Sequence, residues 1–198
     1  MSGRGAGEMQ HLLCDWAGPF AWPGYEQATE LPAIPARPGV YLWTFEYSGG
    51  YLIYAAGLTR KTVPKRFTAH TRLYRNGDYN LLDPAAAALG ERRLVWKGWG
   101  WTDVKRAEFL ARRAELTVAA EAQLRAFRIF TADVGTAPRL LERLEAAIMQ
   151  RLYREVPPFC TVPDKGMHLS ARWPHEPPMT VENRCAATLH ALPARLQI

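Results

Sequence analysis

The sequence predicts an α/β fold in which a small β-sheet, a hairpin plus a third strand, is flanked by helices and carries a helical, tryptophan-rich insertion. Three observations predict it. The runs "VYLWTFEY" and "YLIYAAG" are rich in β-branched and aromatic residues and are separated by Ser48, Gly49 and Gly50, which is a hairpin signal. "AFRIFTADV" has the character of a further strand. "PRLLERLEAAIMQRLYRE" sets Leu141, Leu144, Ile148 and Leu152 on one helical face.

Taken in order, residues 1–38 are rich in glycine, proline and aromatics and end in "LPAIPARPG". Pro32, Pro35 and Pro38 disfavour a continuous helix or central strand there, so this stretch reads as a lead-in arm. Bulky apolar groups on both faces of the hairpin predict that it is covered on each side. After Gly57 the chain turns through "LTRKT", and Pro64 suits the first turn of a helix that runs to about Tyr74, before "RNGDYN" stops it. On that helix Val63, Phe67 and Tyr74 form an apolar stripe, and Arg66 and His70, one turn apart, point the same way. Residues 82–125 read as an insertion: an alanine-rich piece, the strand-like "RRLVWKGWGW", and a long charged amphipathic helix from about Asp103. The segment 161–198 is broken by prolines and reads as extended chain wrapped over the body.

At 198 residues one elaborated domain is expected. A net charge of +6 favours an acidic partner, nucleic acid before membrane surface. Cys14, Cys160 and Cys185 are widely spaced without a CxxC, so neither a disulfide framework nor a standard zinc site is expected. "MSGRGAGEMQHLL" lacks the apolar stretch of a signal peptide, and no apolar run approaches the roughly 18 residues that cross a bilayer. A cytoplasmic protein with no membrane partner is the expectation.

Glu145 lies four positions after Leu141 and three before Ile148, so it projects close to the buried stripe, whereas Glu142 points further outward. A carboxylate in that position must be paired, protonated or bound to a cation. A structural salt bridge to an arginine is the simplest reading of Glu145 taken alone. "PGVYLW", "YAAGLT", "KRFTAH" and "LERLEAAIMQRLYREVPPF" follow one another with hairpin, helix, strand and helix between them. In that order and context the chain resembles the GIY-YIG nuclease family over about residues 39–160, the insertion excepted.

The resemblance implies a DNA endonuclease that hydrolyses phosphodiester bonds, holds Mg²⁺ (or Mn²⁺), and acts on DNA, with a homodimer on DNA useful for cutting both strands. It assigns Gly39, Val40 and Tyr41 to the first tripeptide and Gly57 to the close of the second. Arg66 becomes the phosphate ligand, His70 the partner of Tyr41 or of water, and Glu145 the metal ligand. Tyr41 becomes the phenol that orients or deprotonates water, a role expected to need neighbouring cations to lower its pKa. Two departures stand out: Ala55 occupies the tyrosine position of the second tripeptide, and Cys160 stands where the family often has an asparagine. The nearest tyrosine, Tyr54, is one residue out of register and would face away unless a bulge intervenes.

Candidate nucleic-acid contacts are Lys61 and Lys65 on the turn and helix, and Arg92, Arg93, Trp96, Lys97 and Trp99 in the insertion, where tryptophans interleave with basic residues. The same tryptophans are equally readable as a subdomain core. The alternative to a nuclease is a catalytically weak or inactive GIY-YIG-like module that binds nucleic acid, with a plain interaction domain behind it.

Overall fold

The computed structural model describes residues 10–198. The first nine residues, on which the signal-peptide reading partly rests, lie outside the described residues. The chain begins with β1 (Gln10–Ala21), α1 (Glu26–Thr29), β2 (Gly39–Tyr47), β3 (Gly50–Thr59) and α2 (Val63–Arg75). The middle holds β4 (Leu81–Leu82), α3 (Pro84–Ala88), β5 (Leu94–Trp96), α4 (Asp103–Ala111) and α5 (Arg113–Ala126). It closes with β6 (Arg128–Ala132), α6 (Leu140–Leu152), β7 (Met179–Cys185), β8 (Leu189–His190) and β9 (Arg195–Gln197).

The fold is α/β, and its sheet is larger than expected. Seven strands in the order β8-β3-β2-β6-β1-β7-β9 form one mixed, curled half-barrel. This corrects the small three-strand sheet: the expected hairpin and third strand sit beside one another, and the chain's two ends add the other four strands. β1 pairs antiparallel with β6 and parallel with β7, from Gln10↔Met179 to Trp16↔Cys185. Cys14 and Trp16 are buried while Leu13, Asp15 and Ala17 are exposed, the period-two pattern of a strand covered on one face. The prolines that marked the arm follow β1 rather than interrupt it.

Two apolar clusters fill the two faces of the sheet. One joins Trp43, Phe45 and Tyr54 of the hairpin to Trp22, Phe127 and the α2 side chains Val63, Phe67 and Tyr74. The other joins Val40, Leu42 and Ile53 to Leu141, Leu144, Ile148 and Leu152 of α6. Burying an aromatic or branched apolar side chain contributes about 1.5–3 kcal/mol, so these two layers hold the helices that carry Arg66, His70 and Glu145. The single long helix expected from Asp103 is two, α4 and α5, parted at Arg112, whose backbone leaves the helical range (φ −101°, ψ 11°). No helix among the described residues is long and apolar enough to cross a membrane.

Candidate active site

Strand β3 is paired with β2 along its length, but its other edge meets β8 only at Tyr51 and Leu52. Beyond Leu52 that edge is free of strand pairing among the described residues, and a cleft of about 350 Å³ opens there, lined by Tyr54 to Leu58. Helices from both faces of the sheet reach around this edge. The cleft is lined by Tyr41 from β2, Arg66 and His70 from α2, and Glu145 from α6, so the four residues of the resemblance share one recess with Tyr54.

Tyr54 arrives through a bulge. Trp43 opposes Ala55 and Thr44 opposes Ile53, so Tyr54 is the extra residue of β3. Tyr54 and Ala55 consequently both belong to the α2 side of the sheet, while Ile53 and Ala56 belong to the α6 side. The backbone groups freed at this edge are partly satisfied: the Asp164 N–H donates to Tyr54 O at 2.8 Å, and the Ala56 N–H to Met149 Sδ at 3.1 Å. Both motif glycines have steric reasons to be glycine. A Cβ at Gly57 would lie 2.3 Å from Tyr41 Cε2, and one at Gly39, where φ is +139°, would lie 2.2 Å from Ala132 O.

The Tyr41 hydroxyl and His70 Nε2 are 2.9 Å apart, and His70 Nδ1 is 3.0 Å from the Tyr79 hydroxyl. Burial, then the positive charge of Arg66, lowers the His70 pKa to about 3, so the imidazole is neutral near pH 7. Burial pushes the Tyr41 phenol above its ordinary value, against the opposing hydrogen bond and charge of Arg66. This corrects the expectation of a phenol lowered by cations: desolvation outweighs them, and the neutral phenol is the resting form.

Glu142 and Glu145 have opposite fates on α6. Glu142 is clasped by both terminal nitrogens of Arg60, at 2.8 and 3.0 Å. Glu145 is partly buried and, among the described residues, has neither an ion-pair nor a hydrogen-bond partner. Burial and then repulsion from Glu142 raise its pKa to about 7, while the positive charge of Arg66 pulls the other way. The arginine salt bridge considered for Glu145 is therefore made by Glu142. Arg66 itself is solvent-exposed at the cleft and charged.

Other predicted contacts scatter. Lys61, Lys65 and Lys97 are exposed, but none lines the cleft. Arg92 donates to the carbonyls of Val162 and Pro163 at 2.6 and 3.3 Å, and Arg93 is paired with Asp83 and Glu91. Trp96 is only 4% exposed and donates its indole N–H to Gly77 O at 2.8 Å, so it anchors the insertion. Of the insertion residues, Trp99 alone reaches the cleft. Cys160 is outside the lining, whereas Asp164, four positions later, is part of it. Its Oδ1 accepts from Asn80 Nδ2 at 3.2 Å.

Sequence reasoning missed Tyr79, Asp164 and His168 as cleft residues. Tyr79 lies in the turn "RNGDYN" and the other two in a proline-broken tail, where no periodicity assigns a face. A bulky aromatic within an otherwise polar turn was the one available signal.

A divalent ion of the Mg²⁺ kind fits this donor set. It binds through one or two carboxylates and keeps several waters, and Glu145 is an uncommitted carboxylate facing a polar cleft. A caged, all-protein site does not fit, since among the described residues no three His, Cys, Asp or Glu side chains cluster to hold a metal. Comparison of the chain with protein-family models, with curated proteins and with solved structures finds no match.

Proposed function

We propose that the protein is a divalent-metal-dependent endonuclease that hydrolyses phosphodiester bonds of DNA in the cleft at the free edge of β3. The observation that carries this reading is Glu145: a carboxylate with no ion-pair or hydrogen-bond partner among the described residues, in the recess that also holds the Tyr41–His70 pair and Arg66. β2–β3, α2 and α6 bear the motif residues, with β6 between α2 and α6, in the order that the resemblance to the GIY-YIG nucleases implies, which supports the reading.

In this reading Arg66 anchors a non-bridging phosphate oxygen with its fixed fork of donors. Tyr41 accepts a proton from the attacking water as its own O–H proton passes to His70 Nε2. The Nδ1 proton leaves through the Tyr79 hydroxyl to solvent, so the imidazole relays a proton and stays neutral. The new P–O bond forms to the water oxygen, the bond to the leaving oxygen breaks, and that oxygen leaves with a proton from solvent. Tyr79 holds the far ring nitrogen and so fixes the imidazole plane. A magnesium ion held by Glu145 would polarise the phosphate and offset its charge.

Incubation with supercoiled plasmid in Mg²⁺ or in EDTA tests this. Nicking in Mg²⁺ that disappears in EDTA and in Glu145→Ala is expected; nicking that survives Glu145→Ala would overturn the metal assignment. The second reading, a module that binds nucleic acid without cutting it, is favoured by the fully protonated, buried Tyr41 and the lone carboxylate. Steeply salt-dependent binding with no nicking would be its signature.

A further inference from the structure

We infer that the cleft receives one unpaired nucleotide of a nucleic-acid strand, with its base stacked on Trp99; the inference rests on reading the cleft as a phosphodiester site. Tyr41 and His70 are 2% and 3% exposed, so a phosphate that reaches them must enter the recess rather than lie across its mouth. At about 350 Å³ the recess is near the lower end of ordinary small-ligand sites, roughly 300–1,000 Å³. That volume suits one nucleotide, and a base-paired step does not fit.

Trp99 supplies the wall. It lines the cleft yet is 42% exposed, and its backbone lies in the left-handed region at φ +51°, unusual for a bulky residue. The loop that holds it there is tied down. Lys105 Nζ donates to the carbonyls of Gly98, Trp99 and Gly100 at 2.5, 2.6 and 3.4 Å. The Trp99 N–H donates to Asp78 O at 3.0 Å. The indole rests on the backbone of the tail, where a Cβ at Gly166 would come within 2.7 Å of Trp99 Nε1.

An indole on a tethered loop, backed by Gly166 and Tyr79 and exposed at the cleft, is a stacking platform, since every nucleobase presents a π-face. Trp96 and Trp101, by contrast, spend their indole N–H groups on Gly77 O and Asp78 Oδ1 and pack on Phe109. The Trp99 ring lies 5.2 Å from that of Tyr79, whose hydroxyl meets His70 Nδ1, so a base stacked on Trp99 would sit one residue away from the Tyr41–His70 pair. Asp164, on the same lining, offers an acceptor for an exocyclic amine.

The test uses oligonucleotides with a single 2-aminopurine, as a single strand, as an unpaired bulge in a duplex, or fully paired, all in EDTA so that binding is read without cleavage. Quenching of the probe is expected with the single strand and the bulge and not with the paired duplex. Trp99→Ala should abolish the quench and weaken binding of the unpaired forms about tenfold, as for loss of one stacked base, and Trp99→Phe should restore most of both. Equal binding without quench for paired and unpaired forms, or an undiminished quench in a folded Trp99→Ala protein, would overturn the inference. So would a free mononucleotide that competes as well as the strand. Because metal is absent, failure to nick plasmid removes the nuclease reading without touching this result, and nicking without quench removes this inference alone.

Discussion

The Tyr41 hydroxyl is 2.9 Å from His70 Nε2, and both groups are almost completely buried. Tyr79 meets the opposite ring nitrogen at 3.0 Å, so one neutral imidazole bridges two phenols. Such an imidazole has one N–H, and hence one phenol donates to it while the other accepts. With the Nδ1–H tautomer, Tyr41 donates to Nε2, which is the direction a proton would travel away from an attacking water.

Tyr41→Phe separates this chemistry from packing. The ring remains stacked near Trp43, at a 20° angle, and edge-on to Phe67, so the core is kept. Losing the hydroxyl leaves His70 short of one partner, at a cost of about 1–3 kcal/mol. Plasmid nicking should fall by at least roughly 100-fold while the circular dichroism spectrum is unchanged. A nicking rate within a few-fold of wild type would remove Tyr41 from the mechanism.

His70 also gives the acid dependence of stability. Its pKa is about 3 in the folded protein, against about 6.5 unfolded. Between these values the unfolded chain takes up a proton that the native state excludes. The contribution is complete above pH 6.5 and is lost as pH falls towards 3. Urea unfolding of wild type should lose about 2 kcal/mol from this group between pH 7 and pH 5. His70→Asn should show a correspondingly flatter profile; parallel profiles would mean that the imidazole is not held neutral.

The hairpin, α2 and α6 were legible because each declares its period: Arg66 and His70 share a helical column, and Glu145 borders the leucine stripe. Placing them in one cleft needed only that the two helices pack on opposite faces of one narrow hairpin. β1 was not legible as a sheet strand because its partners β6 and β7 are remote in sequence, and pairing of that kind leaves no local mark. The bulge at Tyr54 was hidden for a related reason: spacing shows that the residue is out of register, and only the opposed pairs Trp43↔Ala55 and Thr44↔Ile53 show how the strand absorbs it. The neutral states of Tyr41 and His70 follow from burial, which a motif does not encode.

Glu145 links metal, proton and stability. Its carboxyl, with a pKa of about 7 in the fold, contributes stability that is present below the unfolded value and lost as pH rises through 7. Glu145→Gln should therefore stabilise the metal-free protein at pH 8, by on the order of 2–3 kcal/mol. Mg²⁺ should raise the wild-type melting temperature more at pH 8 than at pH 6, where a proton competes for the carboxylate, and should not affect Glu145→Gln. An equal Mg²⁺ response in both proteins would place the ion elsewhere.

Gly57→Ala tests whether the strand glycine exists for Tyr41. The two residues are register partners on β3 and β2, and the added methyl would lie 2.3, 2.4 and 2.6 Å from Cε2, Cζ and Oη of Tyr41. The ring has little freedom to retreat, held between Trp43 and the edge of Phe67, so overpacking should cost about 1–3 kcal/mol and draw the hydroxyl off His70. In a Tyr41→Ala background the three atoms nearest the methyl are gone. The Gly57→Ala penalty should then vanish, giving a coupling of at least about 1 kcal/mol in a double-mutant cycle read by urea unfolding. Additive effects would show that Gly57 serves the backbone of β3, and not the seat of the phenol.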